Sequence, residues 1–464
     1  MQVFSFRRIK LPTNTHLSLQ ELAVQQGITE QQLKDLSQMA LELAKAKGAD
    51  QAEVWCYNTV GNSIDVRQGE LEVLEFNQDS HLGLNLYFSQ KKGTVSINDL
   101  TESAVRKGID AACDIARFTE KDEYSGLADR ALMAKEFKDL KLDHPSDLSI
   151  ADMVDMAVLC EAAALEHPQI KQSEGASFYS HRSVSIYTNS HQFMGVNRTT
   201  RYSLSNAVIA ESEQRMVKDN WYSMARCVGD MEDPSAVGSH AAKRVIKKLK
   251  RGKIQSGNYT VVFTPEMSRT VWGHMLAALK GSVLYQKSSF LLDKKEQIIL
   301  PDFVNIIEDP FIEKGFGSSN YDSDGVATYK RDIVVEGTLK DYFLSSYSAR
   351  KLAMKPTASA GGIHNIIVGD TGISLQSLLK QVGTGLLVTE LMGQGVNLVT
   401  GNYSRGASGF WVENGEIQYY VQEITIAGNL TDMLKNLIAI ADNIDTRSSI
   451  ITGSIAIEGM TIAS

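Results

Sequence analysis

Strand-like segments of this chain follow one another in groups, over 51–98, 168–227 and again beyond 300, instead of alternating singly with helices. Parallel neighbours need long crossover connections, whereas grouped strands can be joined by hairpins. The pattern predicts an α+β chain with antiparallel or mixed sheets and argues against regular βαβ winding. In "HLGLNLYFS", Leu82, Leu84 and Leu86 alternate with His81, Gly83 and Asn85, the period-two signature of a half-buried strand. In "FWVENGEIQYYV", Asn414-Gly415 supplies the two positive φ angles of a type I′ hairpin turn, and Glu336-Gly337 marks a second hairpin.

Helical periodicity covers 29–47, opened by a Thr29-x-x-Gln32 capping box and closed by Gly48. It returns over 101–118, 149–166, 374–382 and 430–442, the last capped by Asn429. Asp233-Pro-Ser opens a basic helix ending near Lys250. Two domains are expected. Residues 1–235 form an N-terminal α+β domain, its helices packed on the sheet, with a subdivision at the polar segment 119–147. Residues 236–256 form a connecting helix and linker, and 257–464 a glycine-rich, β-dominated domain.

The 464 residues carry a net charge of -8, which argues against an electrostatic nucleic-acid footprint. The one dense basic run, 243–253, places its cations near the negative pole of a helix, as a solvated face would. Cys56, Cys113, Cys160 and Cys227 lie far apart without a CxxC pair, so neither a common zinc spacing nor a disulfide framework emerges. No apolar run approaches the ~18 residues of a spanning helix, and the N-terminal 16 residues lack the apolar core of a secretory signal. A cytoplasmic protein without membrane or direct nucleic-acid contact is expected.

The segment "TPEMSRTVWGHMLAALKG" carries the most suggestive histidine. Thr264 suits an N-cap, Pro265 the first helical position, and Glu266 the positive end of the dipole. Met267, Val271, His274, Met275 and Ala278 share one apolar stripe, while Arg269 projects about 140° from His274. On this geometry His274 is a core histidine. No HExxH occurs, and His181 with His191 has no ligand-pair spacing. "NYDSDGVATYKR" places Asp322, Asp324 and Gly325 as a calcium loop would, but ends on Arg331 where a bidentate Glu is required. An Asp-rich turn is expected there. "QVGTGLLV" lacks the third glycine of a dinucleotide loop, and Ser408 in "GASG" lacks a nucleophile-elbow context. From the residues alone no active site emerges.

Six strings, taken together, resemble the TldD/PmbA family, once described as modulators of DNA gyrase. They are "GSVLYQKSSFLLD" (281–293), "SSYSARKL" (345–352), "AGGIHN" (360–365), "VTELMGQGVN" (388–397), "YSRGASGFWVENGEIQY" (403–419) and "EITIAGNLTDM" (423–433). The resemblance is closest to the PmbA branch, also called TldE. It implies a two-subunit peptidase whose TldD-type chain carries His-Glu-x-x-x-His on a helix and a Cys near the C-terminus. The two His hold a metal, and the Glu activates water.

Aligned on Gly273-His274, Arg269 stands in place of the first ligand and Thr270 in place of the base. The C-terminal "DTRSSIITGSIAIEGMTIAS" has no Cys. The resemblance therefore implies a chain with no catalytic residue, metal or cofactor of its own, paired with a TldD-type subunit that holds zinc. Substrates would be unfolded or modified peptides, held by strand addition in a cleft lined by 383–408. His364, Asn365, Gly393, Gly395 and Arg405 are the cleft candidates, with loop packing or surface exposure the other reading of His364 and Arg405. In isolation the same surface would give a homodimer. Two alternatives stay open: an independently active peptidase, and a non-enzymatic regulatory protein acting on a topoisomerase.

Overall fold

The computed structural model describes residues 28–212 and 215–464; the N-terminal stretch examined for a secretory signal lies outside the described residues. The described chain divides into two compact units. The first contains the residues up to Phe88, Lys92–Thr119 and Lys141–Leu249; the second contains Ser89–Lys91, Glu120–Leu140 and Lys250–Ser464. The polar segment after Thr119 thus supplies a piece of the second unit, and the basic helix at Pro234–Lys247 belongs to the first.

The first unit is a six-stranded antiparallel sheet in the order β3-β2-β1-β4-β5-β6. Its strands are β1 (Gln51–Arg67), β2 (Glu70–Phe88), β3 (Lys91–Ile97), β4 (Ile170–Asn189), β5 (Met194–Ser212) and β6 (Arg215–Ala225). Among the described residues, four helices accompany it: α1 (Glu30–Ala46), α2 (Glu102–Phe118), α3 (Ile150–Leu165) and α4 (Pro234–Lys247). The Thr29–Gln32 capping box of α1 forms reciprocally, as expected. Val54 and Cys56 of β1 pack with Leu33 of α1 and Val105 of α2, and Ile64 of the same strand packs with Met153 of α3. Residues an even number apart on a strand share a face, so these helices cover one side of the sheet.

The 82–87 stretch departs from half-burial, because every residue from Leu82 to Tyr87 is buried. Gly83 is overlain by the Trp55 indole, which a Cβ would meet at 2.2 Å. Asn85 Nδ2 donates to Glu53 Oε1 at 2.7 Å, and the Tyr87 and Tyr187 hydroxyls donate to the same carboxylate at 2.8 Å each. A buried carboxylate is tolerable when donors surround it in this way.

The second unit contains two mixed sheets. One, ordered β10-β9-β8-β11-β16, uses β8 (Ile306–Asp309), β9 (Arg331–Val335), β10 (Thr338–Leu339), β11 (Asn365–Val368) and β16 (Ile450–Ile451). The other, ordered β14-β13-β12-β7-β17-β15, uses β7 (Gly257–Phe263), β12 (Gly385–Met392), β13 (Asn402–Glu413), β14 (Glu416–Asn429), β15 (Leu437–Ile440) and β17 (Ile455–Ala463). An added β14–β17 pairing closes this second sheet on itself. Its helices are α5 (Pro265–Ala278), α6 (Gly281–Tyr285), α7 (Ser346–Lys351), α8 (Leu375–Val382) and α9 (Leu430–Lys435). Val261 and Phe263 of β7 join the large core with Val271, Trp272 and Met275 of α5, whereas Val262 turns to the opposite cluster with Leu378 and Leu379 of α8.

Both hairpins form at the expected pairs, with positive φ at Asn414 and Gly415 and at Glu336 and Gly337. The 430–442 helix is shorter than its periodicity suggests. Asn429 caps it through Thr431 N at 2.9 Å, but it stops at Lys435, and Leu437–Ile440 pairs with β17. The Asp-rich turn is as expected: Asp322 Oδ1 accepts the N–H of Asp324 and of Val326, each at 2.9 Å. Arg331, at the would-be ligand position, pairs instead with Glu308 and Asp341. The early segment is pinned in this unit by α7. Arg350 Nη1 donates to the carbonyls of Tyr124 and Gly126, Nη2 donates to that of Leu127, and the Tyr347 hydroxyl donates to Asp122.

Candidate functional site

Helix α5 follows β7 directly. Pro265 begins it and Glu266 occupies its first turn, but Thr264 at the N-cap position makes no side-chain capping bond. Ser268 instead donates back to the Phe263 and Thr264 carbonyls at 3.0 Å each. The buried face comprises Ser268, Val271, Trp272, Met275, Leu276 and Ala278. This face is rotated from the expected stripe, so His274 and Met267 lie at its margin, half-buried. Arg269 borders the opposite margin, as about 100° per residue requires.

The C-terminal segment folds over the same helix. Trp272 Nε1 donates to Thr452 Oγ1 at 3.1 Å, and Arg269 Nη2 lies 3.4 Å from Asp445 Oδ2. Arg447 clamps Asp445 from the other side, with Nε to Oδ1 at 3.0 Å and Nη2 to Oδ2 at 3.2 Å, and reaches Glu266 Oε1 at 3.4 Å. Asp445 is 7% exposed. Burial acts to raise its carboxyl pKa, but the Arg447 hydrogen bonds and charge, with the Arg269 charge, outweigh it and hold the group below its ordinary value. Arg269, Arg447, Asp445 and Glu266 are thus joined in one ionic network. Thr270 is committed elsewhere, its hydroxyl donating to the Met267 carbonyl at 2.7 Å.

These residues do not fit a catalytic zinc centre. Such a centre takes three protein ligands and an open position. At the positions that the resemblance aligns with the first ligand and the base stand a permanently charged guanidinium and a hydroxyl turned to the backbone, and the C-terminal segment brings Asp445 already bound by two arginines. Among the described residues, no three His, Cys, Asp or Glu side chains are grouped to hold a metal ion.

His274 looks away from this network, toward β13. Its ring meets that of Tyr403 edge-on, with centroids 6.2 Å apart and planes at 72°. Tyr403 and Arg405 are two apart on β13 and so share a face. Burial, and then the Arg405 charge, lower the His274 pKa. Burial pushes the Tyr403 phenol up to about 12, with Arg405 opposing the rise. Yet His274 Nε2, Tyr403 Oη and Arg405 Nε are all out of solvent without a hydrogen bond of acceptable geometry. Each such orphan costs about 1–3 kcal/mol.

The other cleft candidates separate into two groups. His364 and Asn365 are buried and engaged in loop packing. The His364 ring nitrogens lie 3.2 Å from Gly317 O and 3.0 Å from Ala358 O. Asn365 accepts from Gly317 N and donates to Asp309 O and Ser318 Oγ. Gly393 and Gly395, by contrast, lie on an exposed loop beside β13. A Cβ on Gly395 would stand 1.9 Å from Ser404 O, and Ser404 N donates to Gly395 O at 2.7 Å. That glycine permits the loop's backbone to touch the strand bearing Arg405. Ser408 lies buried within β13.

Asp445, Arg447 and Tyr403 were not singled out from the sequence. The i, i+2 spacing of Tyr403 and Arg405 was a legible signal, because it sets both on one strand face. Nothing in the sequence pattern joined Asp445 to Arg269.

Comparison with known proteins agrees along nearly the whole chain. Residues 52–116 match PmbA/TldA metallopeptidase domain 1, residues 143–249 the central domain, and residues 256–464 the C-terminal domain. The chain is 45% identical to metalloprotease PmbA of Escherichia coli O157:H7, covering 93% of this chain and 96% of that protein. It is 46% identical to the metalloprotease PmbA homolog of Haemophilus influenzae, covering 94% and 96%. A crystal structure from Bacteroides thetaiotaomicron, of a protein given the gyrase-modulator label, superposes with a TM-score of 0.88 at 31% identity, covering 94% of this chain and 100% of that one. TldE from Thermococcus kodakarensis shares the fold, with a TM-score of 0.79 at 17% identity over 93% and 100% of the two chains. No helix among the described residues is long and apolar enough to cross a membrane. The chain belongs to the PmbA/TldA metallopeptidase family.

Proposed function

We propose that this chain is the PmbA/TldE-type subunit, without a catalytic metal of its own, of a heteromeric TldD/TldE-type zinc metallopeptidase acting on unfolded or modified peptides. The observation that supports the reading is the Arg269–Asp445 ion pair: Arg269, which the family resemblance aligns with the first metal ligand, is a cation already engaged by a carboxylate. Thr270, its hydroxyl spent on the helix backbone, has no basic function to offer a water molecule. Zinc and the water-activating Glu would belong to a TldD-type partner. This chain would contribute peptide-binding surface, with Gly393, Gly395 and Arg405 as the exposed-loop and strand candidates, while His364 and Asn365 are engaged in loop packing. In the absence of the partner, the same surface would pair two copies of this chain.

The test is to purify the chain alone and mixed with a HExxxH-bearing homologue from the same cell, and to measure bound metal and cleavage of an unfolded peptide. Cleavage only by the mixture, abolished by altering the partner's Glu, is expected. Stoichiometric zinc with chelator-sensitive cleavage by the chain alone would overturn the proposal. Cleavage by the partner that is unchanged when this chain is omitted would point to the regulatory reading.

A further inference from the structure

The arginines beside α5 have carboxylate partners, but the cluster across the helix holds three polar atoms without one. His274 Nε2, Tyr403 Oη and Arg405 Nε lie together in the second unit, each sheltered from solvent and each without a hydrogen bond of acceptable geometry, Tyr403 and Arg405 being close neighbours. Tyr403 is 1% exposed, so its hydroxyl cannot turn to water. Among the described residues no carboxylate pairs with Arg405. Buried polar atoms are normally satisfied, and three orphans on one spot, two of them obligate or preferred donors beside a fixed positive charge, describe an acceptor that is missing. The glycine loop borders the spot, since Val396 bridges to Tyr403 and Gly395 O accepts from Ser404 N. Met392, at the end of β12, and Val399 on that loop present exposed apolar side chains, suited to the body of a peptide.

We propose that His274, Tyr403 and Arg405 form a carboxylate-binding subsite of this chain that anchors a peptide. The proposal rests on the peptidase-subunit reading for its ligand class. Arg405 supplies the charge, Tyr403 a hydroxyl donor, and His274 a ring nitrogen at the edge of the same spot. A guanidinium and a carboxylate make charge-assisted hydrogen bonds roughly twice as strong as neutral ones. The carboxylate comes either from a peptide C-terminus or from an Asp or Glu side chain.

The experiment uses three versions of one short, unstructured, fluorescein-labelled peptide: a free C-terminal acid, its carboxamide, and a carboxamide with one internal Glu. Binding is followed by anisotropy to the full chain alone and to the chain mixed with a TldD-type partner whose Glu is inactivated. At least one carboxylate peptide should bind about tenfold more tightly than the plain carboxamide, and which one does so identifies the source. Arg405→Gln should abolish the difference and Arg405→Lys should restore part of it. Tyr403→Phe should weaken the carboxylate peptide yet raise the melting temperature of the unliganded chain, because it removes an orphaned hydroxyl.

Equal binding of all three peptides, a preference that survives Arg405→Gln, or a lower melting temperature for Tyr403→Phe would each overturn the subsite. So would absence of binding in both forms of the protein. Pairing with the partner is read separately by sedimentation, so loss of the subsite and loss of the subunit reading give different results.

Discussion

Arg269 on helix α5 and Asp445 in the C-terminal segment approach to 3.4 Å, and Arg447 holds the same carboxylate from its other side. The pair does more than hold the C-terminal segment on the helix. It also commits the Asp445 carboxylate to arginine partners on both sides.

Removing the carboxylate should be costly. Asp445→Ala leaves two guanidiniums in a largely buried setting, and breaking such a pair from one side costs about 3 kcal/mol. Replacing Arg269 by Met in the same background should recover part of the loss, because one of the two guanidiniums facing the deleted carboxylate is removed. Urea unfolding of the single and double variants gives the coupling energy, and a value near zero would show the pair to be energetically idle.

Acid should expose the same network. The folded-state pKa of Asp445 is depressed, so its contribution is fully present above the ordinary value near 3.8 and is lost as pH falls through the lower folded value. The stability gap between wild type and Asp445→Asn is therefore expected to be constant from pH 7 to about 5 and to shrink toward pH 3. A gap that widens on acidification contradicts this sign.

Writing the motif letters into α5 should not create a metal site. Arg269→His with Thr270→Glu restores HExxxH, but on a regular helix positions 269 and 274 remain about 140° apart, and Arg447 still engages Asp445. The double variant should purify with far less than stoichiometric zinc by elemental analysis. Tight stoichiometric zinc would show that the helix unwinds readily near Gly273.

The glycine loop offers a contrast between two neighbours. Gly395→Ala sets a methyl 1.9 Å from Ser404 O and must displace the loop from β13. Gly393→Ala meets no atom within 4 Å and pays only for its positive φ, about 1 kcal/mol. Limited proteolysis across 392–400 should accelerate strongly for the first and little for the second.

Local chemistry made much of this fold legible. The Thr29 capping box, the Asn414-Gly415 turn and the Asp-rich turn at 322–326 are decided within a few residues, and each forms as its residue types require. What escaped was decided by distant partners. Leu437–Ile440 has helical periodicity but is recruited by β17, and Asn85 is buried because Glu53 on the neighbouring strand accepts its amide. At the site, helical geometry correctly separated Arg269 from His274. It could not reveal that each has its own remote companion, Asp445 for one and Tyr403 for the other.

The passage of residues 120–140 into the second unit has a consequence for how the chain is made. Ribosomal synthesis proceeds at about 5–20 residues per second, so this segment emerges long before α7, whose Arg350 receives its carbonyls. It must wait, without its native docking site, while the rest of the first unit is translated and folds around its two ends. A protein cut at residue 250 and produced as two halves would therefore deliver the second half without part of its own structure. Supplying a peptide of that sequence in trans should restore it.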